Sequence, residues 1–289
     1  QLSVGMHAMN WLFRSMLMEI SLNSLTVTHA VISLFSALIA LGASTLHLGR
    51  PLYAFRAVVG LRTSWLSREI IIFMVYAFSS ILFAVLVLTG TTNSGLDNLH
   101  RTANYSVLIF GLAGVFSSAM VYHCTPRYYW NIIMTGPKFF LTTIILGATS
   151  VLAISIFYML ILENINIHQQ LQAICQTICT IIILATLSKM AVEHAIVLPD
   201  RKLELNPVMK IINSDLRDIA VFRMIFGILG GVILPLYLYY QVSLFVEKAF
   251  VLMCLSVMIF IFSLMGEFFE RRLFFMAAST TTMPGRITN

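Results

Sequence analysis

The chain has 289 residues, 59% of them hydrophobic and only 10% charged, with a mean hydropathy of +0.90 and a formal net charge of +6. A water-soluble domain of this size has no interior large enough to hide so much apolar surface, so the composition excludes one and indicates a membrane protein. The four cysteines, Cys124, Cys175, Cys179 and Cys254, show no C-x-x-C spacing and fit neither a disulfide framework nor an iron–sulfur motif; they read as small core residues.

Crossing the hydrocarbon layer takes about 20 apolar residues in a helix. In chain order, such stretches fall at 1–18 (partial), 27–47, 68–90, 100–123, 138–162, 170–194, 218–240 and 248–270. The expected fold is an all-α integral membrane protein, a single multi-pass domain over residues 1–289 with eight transmembrane helices, the first one partial. Short turns at 19–26, 91–99, 163–169 and 241–247 close one side, and longer connectors at 48–67, 124–137 and 195–217 gather on the other. Short turns imply antiparallel neighbours, and two adjoining four-helix bundles are the simplest packing. The opening segment is short for a full span, which suggests residues missing before Gln1. No cleavable signal sequence is visible, so the spans themselves are expected to direct insertion.

Charge follows the same division. The long-connector side holds 15 of the 18 basic and 8 of the 12 acidic residues, a net +7 against −1 opposite. The positive-inside rule would place that side in the cytoplasm. Residues 195–218 form the one polar stretch of any length, too short for a domain and suited to docking or to an ordinary solvated loop.

The residues able to do chemistry collect at that same end. Spans 2, 4 and 6 finish near His47, His123 and His194, span 3 opens with Glu69, span 7 carries Arg223 and span 8 ends with Gly266-Glu267. A histidine and a carboxylate where two spans meet water can hydrogen-bond a polar head group and exchange protons with it, while the flanking helices hold an apolar tail. His47 with Glu69 therefore describes a quinone site, flanked by Arg50 and Arg56. Helix-end His, Glu and Arg also serve as plain interface markers, and that alternative stands beside each. Haem ligation would need imidazoles at matched depth on facing helices, and the span-end histidines offer no such pair. Glu267 either handles protons or pairs with Arg271 one turn on, pairing being favoured. The chain carries no G-x-x-x-x-G-K-[ST], H-E-x-x-H or G-x-S-x-G, which argues against a nucleotide-driven pump or a hydrolase. The partner implied by composition is a lipid bilayer, not nucleic acid.

The stretch Ser44-Thr45-Leu46-His47-Leu48-Gly49-Arg50-Pro51, then Ala54-Phe55 and Leu66-Ser67-Arg68-Glu69-Ile70, resembles the membrane anchor subunit of dimethyl sulfoxide reductase and its relatives. Weaker echoes follow in Phe139-Phe140-Leu141-Thr142, His194, Phe222-Arg223 and Gly266-Glu267 with Arg271. The resemblance implies an eight-helix subunit that oxidises menaquinol in anaerobic respiration and has neither haem nor an iron–sulfur cluster of its own. Its electrons would pass to an iron–sulfur subunit and then to a molybdopterin catalytic subunit. By matching position, His47 would correspond to the quinol-binding histidine and Glu69 to the carboxylate of quinol oxidation, with Arg50 or Arg56 tuning the site or holding the partner. The expected location is the cytoplasmic (inner) membrane. The family is expected to hold its catalytic partners outside the cytoplasm, against the side that the charge bias indicates. A multi-pass transporter and a purely structural anchor remain the competing readings of the residues alone.

Overall fold

The computed structural model describes residues 1–16, 23–46, 60–90, 97–125, 130–161, 168–197, 216–245 and 249–277. Among them there is no strand. The helices are α1 (Leu2–Met16), α2 (Asn23–Leu46), α3 (Trp65–Leu88), α4 (Asp97–His123), α5 (Ile132–Ile161), α6 (His168–Val197), α7 (Arg217–Ile228), a π-helical turn (Leu229–Ile233), α8 (Leu234–Phe245) and α9 (Ala249–Met276). Among the described residues seven spans are long and apolar enough to cross a membrane, with α7, the π turn and α8 forming one of them. Every expected span is present, its ends displaced by no more than about six residues. The described part of α1 is 15 residues, about 22 Å of helix.

Local chemistry sets the ends that matter for the site. Ser64 caps α3, its side chain accepting from the Ser67 N–H, and the N–H groups of Thr63 and Ser64 bond back to the Gly60 carbonyl. Arg68 then ties this turn to the helix, donating from Nε to the Leu61 carbonyl and from Nη2 to that of Arg62, both at 3.0 Å, with its guanidinium 4.5 Å from the Trp65 ring centroid. The position of Glu69 in the next turn is thus fixed by its neighbours. At the far end of α3, Gly90 adopts φ +57°, a left-handed conformation that terminates the helix without a Cβ clash. In the seventh span, Pro235 has no N–H for the Gly231 carbonyl four residues back, and the adjoining backbone relaxes into the π turn.

The helices form two groups, as the short turns suggested. In the first, α1–α4 enclose Val4, Ala30, Tyr76, Phe83, Val107 and Val115, with Phe139 of α5 and Phe274 of α9; in the second, α5, α6, α8 and α9 enclose Val151, Ile156, Ile182, Leu238 and Ile259, with Met6 and Phe13 of α1 and Leu25 of α2. The seam is α5, which packs on α1 and α4 from one group and on α6 and α9 from the other. It is also the most enclosed span, with 72% of its apolar window buried against 28–44% for the other six. Where α1 meets α5 the backbones touch: a Cβ on Gly5 would overlap the Thr143 carbonyl, and one on Gly147 would overlap Gly5 itself. Outward faces such as Phe35, Ile39, Met74 and Phe78 stay exposed, as a lipid-facing surface requires.

Candidate functional site

Two polar regions lie at the same end of the helices, one in each group. Glu69, the fifth residue of α3, faces Ser118, the sixth residue from the end of α4. The Ser118 hydroxyl donates to Glu69 Oε1, and Ser118 Oγ also lies 3.1 Å from the Gly114 carbonyl, four residues back on α4. Glu69 is half-buried, and among the described residues no Lys, Arg or His lies within ion-pair distance of it. One turn deeper on α3, the Phe73 ring fills the space where a Gly114 side chain would stand, closing the membrane side of the pair. One turn further along α4 from Ser118, Tyr122 is within electrostatic reach of both Glu69 and Arg271. Its ring sits among Trp130, Phe139 and Phe274, at centroid distances of 5.0, 5.7 and 5.1 Å.

The second region is a buried network joining α5, α6, α7 and α9. Lys138 Nζ is 2.9 Å from Glu270 Oε1, and Lys189 Nζ contacts Glu267 Oε2 and lies 3.7 Å from Glu270 Oε2. Thr142 donates to Glu267 Oε2 at 2.7 Å while its oxygen accepts from Lys189 at 2.6 Å. Arg223 holds Glu193 at 3.0 Å and reaches towards Glu267 at 3.9 Å. Lys189 has no exposed surface at all. Among the described residues three cations here meet three carboxylates, and Arg271 Nε stands at the rim of the set, 3.9 Å from Glu270 Oε2; charge is thereby neutralised inside a medium that would otherwise penalise it heavily.

This arrangement corrects the expected pairing of Glu267 with Arg271. Glu267 points inward, where α5 and α6 present Thr142 and Lys189, whereas Arg271 donates to Gln1 Oε1 at 2.5 Å and stacks over the Phe139 ring at 3.7 Å. Two lysines counted from the sequence as charges of the long-connector face, Lys138 and Lys189, belong to this interior instead. They say nothing about which side faces the cytoplasm, since that rule concerns residues in the loops and near the span ends.

Of the expected site residues, the structure places Glu69; His47, Arg50 and Arg56 lie outside the described residues. His123 and His194 do not join Glu69: His123 Nδ1 accepts the Ile132 N–H at 3.3 Å, holding the start of α5, and His194 is exposed at the end of α6. A histidine overlooked in the sequence, His7, is buried inside the first group, 3.4 Å from the Asn104 carbonyl and edge-on to Phe83. The signal was available: Ser3, His7 and Asn10 recur at helical spacing, and all three are buried. An apolar cavity of about 140 Å³ between α1, α5 and α6, lined by Met9, Phe13, Val151, Ile174 and Ile178 among others, lies towards the short-turn side and away from Glu69.

Comparison with known proteins fits this architecture. The family described as DMSO reductase anchor subunit (DmsC) matches residues 2–276. One relative, a component of the anaerobic dimethyl sulfoxide reductase of Haemophilus influenzae, is 28% identical over 159 residues, 54% of each chain. Another, a component of the sulfite dehydrogenase of Allochromatium vinosum, is 30% identical over 129 residues, 42% of this chain and 38% of that protein. The aligned portions thus span about half or less of the curated relatives. No solved structure matches the chain. The chain is a multi-pass membrane protein and belongs to the DMSO reductase anchor subunit family.

Proposed function

We propose that this chain is the quinol-oxidising anchor of a membrane oxidoreductase complex of the DMSO reductase type, working in anaerobic respiration at the cytoplasmic (inner) membrane. The observation that carries this is Glu69: a carboxylate near the end of a membrane span, served by one serine hydroxyl and by no cation among the described residues. A carboxylate held only for architecture is normally neutralised, as those of the second region are. An uncompensated one retains the capacity to take a proton.

Oxidation of menaquinol yields two electrons and two protons. Glu69 accepts a proton from a quinol hydroxyl, and His47, 22 positions earlier in the same motif-bearing stretch, hydrogen-bonds a quinone oxygen. Arg50 or Arg56 tunes the site or holds the partner. The electrons pass to an iron–sulfur subunit and on to a molybdopterin catalytic subunit. Membership of an anchor family, with a dimethyl sulfoxide reductase component among its relatives, supports oxidoreductase partners of this kind. The direct test is menaquinol-analogue oxidation by the assembled complex. His47→Arg should abolish both oxidation and quinone-analogue binding, whereas Glu69→Gln should slow turnover while binding persists. Normal rates in both variants would defeat the proposal.

One observation favours a transporter instead: the π turn at Leu229–Ile233 interrupts a span near its middle, beside the buried hydroxyls of Thr186 and Ser263. No ionisable group joins that break among the described contacts, so the anchor is preferred. Co-purification of iron–sulfur and molybdenum subunits with the chain would exclude the transporter.

A further inference from the structure

Glu69 and Ser118 form a pair whose proton count is informative. A serine hydroxyl has one hydrogen to give and can accept in return. Ser118 Oγ stands in hydrogen-bonding position to two acceptors, Glu69 Oε1 and the Gly114 carbonyl at 3.1 Å, and it can donate to only one of them at a time. With Glu69 ionised, the hydrogen belongs to the carboxylate, which then receives a charge-assisted bond. With Glu69 protonated, the carboxyl O–H donates to Ser118 Oγ, and the serine hydrogen turns to the Gly114 carbonyl. That second bond is the ordinary back-bond of a helical serine to the residue four positions earlier. Both states keep the Ser118 hydroxyl and Glu69 Oε1 bonded to each other while the heavy atoms stay where they are.

We propose that Ser118 is the positioning residue of Glu69, a hydroxyl switch whose single hydrogen alternates between the Glu69 carboxylate and the Gly114 carbonyl as Glu69 takes and releases a proton. The inference rests on the quinol-oxidising reading for the source of that proton, but not for the switch itself. When the quinol O–H bond breaks and a Glu69 O–H bond forms, the only accompanying motion is rotation of the Ser118 hydroxyl, a picosecond-to-nanosecond event. The proton later leaves Glu69 for water at the helix ends, and the serine hydrogen turns back. A half-buried carboxyl lacking such a partner would lose that bond in one state or the other, at part of the desolvation penalty of a fully buried group. Phe73, packed on Gly114, keeps the deeper side of the pair apolar, so a substitute hydrogen-bond partner is not supplied from there.

Infrared titration of the full chain in lipid nanodiscs reads the switch without any partner subunit. The carbonyl band of protonated Glu69 is identified by its disappearance in Glu69→Gln. In Ser118→Ala this band should change position, and its titration midpoint should move by about one pH unit, the worth of a hydrogen bond to a charged group. Ser118→Thr keeps a hydroxyl able to make both bonds and should restore the wild-type band and midpoint. Ser118→Cys, with a weaker donor, should fall between, and it serves if the alanine variant does not fold. In the assembled complex, Ser118→Ala should lower quinol turnover about tenfold with quinone-analogue affinity unchanged, and Ser118→Thr should recover most of it. An unmoved band and midpoint in Ser118→Ala and Ser118→Cys would overturn the switch. If the band moves as expected but Glu69→Gln still oxidises quinol normally, the switch stands and the quinol reading is the one that fails.

Discussion

The two polar regions at one end of the molecule invite direct comparison, because they lie at similar depth and solve opposite problems. In the second helix group, Lys138, Lys189 and Arg223 meet Glu193, Glu267 and Glu270, and all of them but the partly exposed Glu193 are drawn out of solvent by packing of four spans. In the first group, Glu69 has one serine hydroxyl, with Phe73 packed on Gly114 at the deeper side. Neutralised charges inside a membrane protein can be carried without an uncompensated desolvation cost; a carboxylate without a counter-ion adds little to cohesion and keeps the capacity to take a proton.

The most severe challenge to that contrast is to unbalance the network. Lys189→Met strands Glu267 in a buried site, and the expected loss is about 3–5 kcal/mol of stability, read as reduced assembly and a lowered midpoint in thermal unfolding. The double variant Lys189→Met with Glu267→Leu should recover much of that loss, because nothing is then left unpaired. A double variant no better than the single one would show that the ion pair itself, and not its balance, holds the helices. The next effect is kinetic. Glu69→Gln should slow quinol oxidation by about a hundredfold while thermal stability stays within about 1 kcal/mol of wild type. A large drop in stability would move Glu69 into the same class as the network.

A third test is the seam between the groups. Gly5→Ala places a methyl against the α5 backbone and should cost about 1–3 kcal/mol, measured by unfolding in detergent, with quinone-analogue binding impaired only in proportion to the unfolded fraction. The smallest expected effect asks whether the two regions communicate. Tyr122 is the residue that feels both Glu69 and Arg271, and Tyr122→Phe retains its ring contacts. If the two regions act independently, this variant should change stability by less than about 0.5 kcal/mol and turnover by less than about threefold. A larger change in turnover at constant stability would show that the network's charge reaches the site.

Much of the fold was legible in the sequence because a membrane span announces itself by length and hydropathy alone. The positions of the spans and the clustering of ionisable groups at one end followed from that, and Glu69 was singled out by its place at the start of a span. The network was not legible, for a physical reason. Lys138 and Lys189 are single charges within long apolar runs, averaged away in a hydropathy window and assigned by default to the nearer face. Their partners are 132 and 78 residues distant in the chain, so no local spacing connects them. The expected Glu267–Arg271 pair used the one neighbour that linear spacing offers, and the interior supplied a better one. His7 was missed because a lone histidine near the chain start carries weight only once Ser3 and Asn10 are seen to share its face.

The burial of Lys189 also has a consequence in time. Helices enter the bilayer in the order in which they are synthesised, and α6 arrives bearing a lysine whose carboxylate partner is still 78 residues from being made. At about 5–20 residues per second the cation waits roughly 4–16 seconds for α9. Until then the nascent chain holds two lysines, on α5 and α6, facing what will become the centre of the second group. The last helix therefore acts as the clasp that completes biogenesis. Chains cut off before Ala249 are expected to insert but to be cleared by membrane proteases, whereas cuts made after Met276 should leave the lifetime of the protein unchanged. A pulse-chase measurement of the two truncations separates these outcomes.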